Sequence, residues 1–221
     1  MIIDQILLVW YRLYLLILAE IARGNMDYSM AHGWKWIADK EAAALLEKLG
    51  LKPHHKLLLL SDGSLTRFLD VLNQAPVDVE IKKHEIRKIK KDESVYLEVD
   101  ASQEAIIRDV WITQNKKKLV YAHSVFPLAG LDKNLLNNIS TSIEPIGKSL
   151  TDRGLLTFKD KLEISAVHCS DVNSVLNLAP KTILWAKHYR LLAQASSSEK
   201  GITASITEIF SPELAGKPPL K

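Results

Sequence analysis

Alternation of apolar and polar positions is most regular in two stretches of the chain. Across residues 106–112, the period of two that a strand imposes groups Ile106, Arg108, Val110 and Ile112 on one face. Across residues 202–210 it groups Ile202, Ala204, Ile206, Glu208 and Phe210. Each face is apolar apart from one charge. An ion buried without compensation is costly, so the pattern admits two arrangements. Either Arg108 and Glu208 pair with each other in the core, or they line a closed pocket whose ligand offers an anionic group to Arg108 and a hydroxyl to Glu208.

The remaining segments supply the frame. Residues 39–49 are rich in strong helix formers and stop at Gly50 and Pro53. A short apolar run, 57–60, leads to Asp62 or Ser64 as the cap of a helix carrying Leu65, Phe68, Leu69 and Leu72. Strands are predicted over 77–89, 95–99, 105–113 and 119–126, the last two forming a hairpin about residues 114–117 that Pro127 closes. Residues 132–153 read as helical, with Leu135, Leu136, Ile139 and Ile143 among the apolar positions. Residues 162–167 fit a strand or a helix start. Extended structure resumes at 182–194, and after a flexible 196–201 connector the strand bearing Glu208 follows. Helices, a meander, a helical crossover and closing strands describe an α+β domain: a single antiparallel β-sheet with helices on one side. The predicted organisation is an apolar N-terminal helix or extension (1–26), one domain (27–213) and a proline-rich tail (214–221).

Composition narrows the function classes. A chain of 221 residues with 47% hydrophobic and 25% charged residues suits one ordinary globular domain. A net charge of +3 implies no polyanion partner. The basic run 82–91 has no stacking pattern of aromatics and reads as a solvated strand edge, so no nucleic-acid binding is predicted. Cys169 is the single cysteine, which excludes an intramolecular disulfide and fits a reducing compartment; beside His168 on a strand it reads as a buried, inert thiol. No histidine has a companion at metal-ligand spacing, so no metal site is predicted. There is no GxSxG elbow, and Gly130 and Gly147 stand isolated, so no phosphate-cradling loop is implied. The apolar stretch 2–22 is interrupted by Asp4, Arg12 and Glu20. An arginine at the centre of a span costs about 2.5–3.5 kcal/mol on insertion scales. No stable membrane span is therefore predicted. The segment fits a peripheral membrane-surface helix, a helix packed on the domain, or translated sequence upstream of a start at Met26.

Several segments together resemble the chorismate pyruvate-lyases, in the character of their cyanobacterial or plastid branch. Residues 58–68 (LLLSDGSLTRF) are similar to that family's leucine-run segment, and Arg108 with the hairpin ending at 122–127 (AHSVFP) to its central strand pair. Residues 146–149 (IGKS) resemble its crossover, and 185–190 (WAKHYR) with 206–212 (ITEIFSP) its closing strands. The resemblance spans about residues 55–213. It implies a ligand pocket buried under helical flaps and conversion of chorismate to 4-hydroxybenzoate and pyruvate without metal or organic cofactor. The product is the aromatic head-group precursor of a quinone such as plastoquinone. It also implies that Arg108 holds the ring carboxylate, that Glu208 engages the 4-hydroxyl, and that Leu65 and Thr151 contact the ligand from the flaps. Thr151 departs from the family's usual leucine. His123 stands where bacterial members carry an arginine near the pocket; protonated, it would bind an anion, and otherwise it is a strand histidine bonded to a neighbour. A monomer in the cytoplasm, or in the plastid stroma for an organelle-encoded chain, completes the expectation. The alternative is a non-catalytic sensor of aromatic carboxylates on the same fold; residues 1–54 offer no helix-turn-helix with a basic recognition helix.

Overall fold

The computed structural model describes residues 27–141, 144–194 and 201–219. Segment 2–22, Met26, Ile143 and most of the 196–201 connector lie outside them. The described elements run β1 (Tyr28–Met30), β2 (Ile37–Ala38), α1 (Asp39–Lys48), α2 (Pro53–Leu60), α3 (Leu65–Asn73), β3 (Asp78–Lys88) and α4 (Lys91–Leu97). Then follow β4 (Glu104–Gln114), β5 (Lys117–Pro127), α5 (Lys133–Thr141), α6 (Ile146–Asp152) and β6 (Leu156–Cys169). The chain closes with α7 (Ser170–Val175), β7 (Leu184–Gln194), β8 (Ile202–Phe210) and α8 (Pro212–Ala215).

Every strand pairing is antiparallel, in the spatial order β1-β6-β7-β8-β5-β4-β3, with β1 and β2 sharing the outer edge of β6. The α+β architecture with a single antiparallel sheet is the one the pattern predicts, but the helices are not confined to one side. One face of the sheet carries the main core, where Ile106, Phe126, Trp185 and Ile206 meet Leu46 of α1, Leu58 and Leu59 of α2, Leu69 of α3, Leu135 of α5 and Leu150 of α6. The other face is covered more thinly. There Ile107 and Val125 pack with Leu97 of α4, and Trp111, Tyr121 and Ile209 pack with Val172 of α7. β4 is consequently buried on both faces from Ala105 onward.

Hairpin β4–β5 turns through Asn115 and Lys116, both at positive φ (49° and 64°), as a type I′ connection requires. Beyond the turn a bulge intervenes. The ladder pairs Gln114 with Lys117 and Thr113 with Lys118, then resumes as Ile112 with Val120, so Leu119 is the extra residue.

Four local readings change. Pro53 does not keep the chain out of a helix; it opens α2, at a position where its missing N–H costs nothing. Residues 95–99 are not a strand. Glu93 accepts from the Lys90 backbone N–H at 2.9 Å and is held by Arg87 at 2.7 and 2.8 Å, which starts α4 and turns Leu97 into the core. Residues 132–153 form two helices because Pro145 precedes α6, biasing Glu144 away from helix. Residues 162–167 belong to the long β6. After β8, Ser211 donates its N–H to the Leu119 carbonyl at 2.8 Å, and Leu214 and Ala215 join the main core. Among the described residues, no helix is long and apolar enough to cross a membrane.

Ser64 caps α3 by accepting from the Arg67 N–H at 3.3 Å. Ser64→Ala should lower stability by about 1 kcal/mol, read as a lower urea midpoint at unchanged slope. A variant as stable as the parent would show that packing of Leu65 and Leu69, rather than the cap, holds this helix.

Candidate active site

A cavity of about 520 Å³ lies between the core face of the sheet and α3 and α6. Arg108 and Glu208 both line it, as do Leu65 at the start of α3 and Thr151 in α6. Arg108 faces inward from β4 in register with Ser124 of β5; Glu208 faces inward from β8 in register with Ala122 of β5. They are thus two strands and two residues apart, roughly 12 Å between Cα atoms on an unbent sheet. Burial of Arg108, 2% exposed, pulls its guanidinium down to about 10, which leaves it charged at neutral pH.

Glu208 is compensated by a residue that neither initial arrangement named. Its Oε2 lies 3.1 Å from Lys187 Nζ on the adjacent β7, and its Oε1 accepts the Tyr189 hydroxyl at 2.8 Å. Burial pushes the Glu208 carboxyl up, but Lys187, then Lys159, and the hydrogen bonds from Tyr189 and Lys187 outweigh it. The net effect holds the group below the ordinary carboxylate value. Tyr189 is driven the other way, well above the usual phenol range, first by burial and then by the Glu208 charge, so it stays a donor. Lys187 is 1% exposed. Its ammonium also donates to the Leu58 carbonyl at 3.0 Å and reaches that of Ser61 at 3.5 Å. These carbonyls end α2, where backbone acceptors lack helical partners and a cation is favoured.

Lys159 of β6 forms another wall. Its Nζ donates to the Gly63 carbonyl at 2.5 Å and stands 4.5 Å from the centre of the Tyr189 ring. Burial lowers this ammonium to about 8, with Lys187 acting in the same sense and Glu208 and Asp62 opposing.

The structure therefore brings Arg108, Glu208, Leu65 and Thr151 to one cavity. It does not bring His123 there. His123 pairs in register with Asp109, on the opposite face of the sheet from Arg108, and its Nδ1 sits 2.6 Å from Asp109 Oδ1. The bulge is the cause: counted directly from the Asn115–Lys116 turn, His123 would oppose Arg108, and the extra Leu119 shifts it by one residue and hence to the other face. Thr151 Oγ1 is turned back to the Gly147 carbonyl at 2.8 Å. Lys187, Tyr189 and Lys159 were missed in the sequence. For the first two a signal existed, since Trp185, Lys187 and Tyr189 share a face by the same parity that singled out Arg108. Among the described residues no group of three or more His, Cys, Asp or Glu side chains is placed to hold a metal ion.

The family described as "Chorismate pyruvate-lyase Rv2949c-like" matches residues 59–216, which contain all of these cavity residues. A protein of Porphyra purpurea, described as uncharacterized protein ycf21, is 32% identical over 161 residues, covering 72% of this chain and 81% of that one. Among solved structures, PhnF from Mycobacterium smegmatis aligns with a TM-score of 0.53 at 10% identity, over 90% of this chain and 95% of that one. The effector domain of PhnF aligns with a TM-score of 0.51 at 10% identity, over 68% and 90%. At such identity the two alignments speak to fold alone, and they agree with the single antiparallel sheet. By the extent of the sequence match, the chain belongs to the Rv2949c-like chorismate pyruvate-lyase family.

Proposed function

We propose that this protein is a lyase that eliminates pyruvate from chorismate to give 4-hydroxybenzoate, which would supply the aromatic head group of a quinone. The observation that carries the reading is that a buried guanidinium and a buried carboxylate on separate strands face the same cavity. A ring with a carboxylate at one end and a hydroxyl at the other fits that pair. Family membership supports chorismate as the substrate.

In this reading Arg108 receives the ring carboxylate, where a guanidinium gives a bidentate, charge-assisted anchor. Glu208 accepts from the hydroxyl at the far end. The ether C–O bond breaks, and the neighbouring carbon, which bears the hydroxyl, loses its proton. The pair of electrons from that C–H bond completes the aromatic ring, and the leaving enolpyruvate takes up a proton to become pyruvate. Aromatisation drives the step downhill, so the protein chiefly holds a reactive conformer and excludes water. Glu208 is held below the ordinary carboxylate range, which makes it a weak base that stays ionised as an acceptor. Orienting the hydroxyl, rather than storing its proton, is the role that suits it. Leu65 and the backbone around Thr151 close the cavity from α3 and α6.

Purified protein incubated with chorismate should release pyruvate and 4-hydroxybenzoate in equal amounts. Arg108→Ala should lower kcat/KM by about a hundredfold or more. Glu208→Gln should lower kcat by roughly tenfold to a hundredfold while product affinity changes little. Near-normal turnover by Arg108→Ala would remove the assigned anchor. Stabilisation by 4-hydroxybenzoate without turnover would instead assign a sensor on this fold.

Glu208 also predicts an acid limb in stability. Its folded value lies below its unfolded one, so its ionisation stabilises the fold above the ordinary carboxylate range, and that contribution is lost as pH falls through the folded value. The thermal midpoint of the parent should therefore drop more steeply on acidification than that of Glu208→Gln. Parallel curves would mean that Glu208 is protonated in the native protein.

A further inference from the structure

We infer that Lys159 receives a second carboxylate on the ligand, the one carried by the leaving enol group, and so makes the site favour a dianionic substrate over its monoanionic product. The inference deepens the lyase reading and rests on it. Of the inward-facing cations, Arg108 is assigned to the ring carboxylate, and Lys187 is engaged by Glu208 and the end of α2. Lys159 is engaged only in part. One of its three N–H donors goes to the Gly63 carbonyl at 2.5 Å, and among the described residues no carboxylate lies within 4.0 Å of its Nζ.

Its position relative to Glu208 carries the argument. The Lys159 ammonium lies over the Tyr189 ring at 4.5 Å, and the hydroxyl of that ring binds Glu208 at 2.8 Å. Lys159 therefore stands about one aromatic ring away from the carboxylate that engages the ligand's hydroxyl. In chorismate the enol ether is attached to the carbon next to the hydroxyl-bearing one. Its carboxylate thus belongs at the Glu208 end of the cavity, on the side where Lys159 is found. β6 is also the exposed rim there, with Phe158 60% exposed, which gives the detached enol group a short way out. Once the bond is broken, the product no longer touches this cation.

The charged and titratable groups facing Lys159 are Glu208 from β8, Lys187 and Tyr189 from β7, and Asp62 from the segment before α3. With the free ammonium near 8, kcat/KM for chorismate should fall as pH rises through that value.

The test measures KM for chorismate and the inhibition constant of 4-hydroxybenzoate in the parent, Lys159→Gln and Lys159→Arg. Lys159→Gln should raise KM about tenfold to a hundredfold and leave the product's inhibition constant within about twofold, because the product lacks the second carboxylate. Lys159→Arg should keep a KM near the parent's at pH 7 and lose the alkaline limb, since a guanidinium remains charged. If Lys159→Gln moves both constants together, or neither, Lys159 is not the second-carboxylate receptor, while the lyase reading stands. A parent that neither turns over chorismate nor is stabilised by 4-hydroxybenzoate overturns both.

Discussion

The ion pair between Lys187 and Glu208 is the constraint on which the site depends. Both side chains are almost fully buried, and two such charges taken from water cost several kcal/mol each before they attract one another. What makes the pair tolerable is its setting. The Tyr189 hydroxyl occupies one carboxylate oxygen, and the end of α2 offers carbonyls to the ammonium. The same contacts bind α2 to the floor of the sheet and lead directly into residues 62–64, which form the cavity rim. Truncation of either side chain would disturb the floor and the rim at once. Glu208 is thus fixed as an anion by its surroundings, and its chemistry follows from that.

Strand parity divides the polar residues of the sheet between two environments. Arg108 and Glu208 point to the cavity, while their neighbours Asp109 and Thr207 point away. On that outer face Asp109 binds His123, and Thr207 binds His188 at 2.8 Å. Burial, its largest influence, lowers His188 to about 4, so this imidazole is neutral at physiological pH. The outer pairs satisfy buried polar groups between strands without lining the cavity. A chain that alternates its charges in this way keeps a cavity-lining guanidinium and a structural carboxylate on consecutive residues.

Much of this was legible in the sequence, and the exceptions have separate physical causes. Ile106 to Ile112 and Ile202 to Phe210 alternate cleanly, so the inward direction of Arg108 and Glu208 followed from period alone. In β7 the residues from Leu184 to Lys187 are all buried, and a strand covered on both faces shows the shared parity of Trp185, Lys187 and Tyr189 only weakly, because its other face is not uniformly polar. His123 failed for another reason. Its face depends on one bulged residue, and nothing in residues 113–120 announces that Leu119 is extra. The α4 segment was misread because Val95, Leu97 and Val99 mimic period two, while a capping interaction from Glu93 decides for helix.

The fold alone does not separate a catalyst from a sensor, since an alignment at 10% identity, as with PhnF, speaks to the sheet and not to its use. The difference must lie in how the cavity treats a ligand before and after reaction. A sensor gains from holding one ligand tightly, and a single anchor such as Arg108 would serve it. An enzyme that splits a dianion needs its products to leave, and product release often sets the rate. Two cations on different walls, with an acceptor between them, meet that requirement, since scission divides the two carboxylates between separate molecules. Arg108 and Lys159 stand on β4 and β6, separated by the three strands that carry Ser124, Glu208 and Tyr189. In the proposed reaction, a ligand spanning them is held at both ends only while its ether bond is intact.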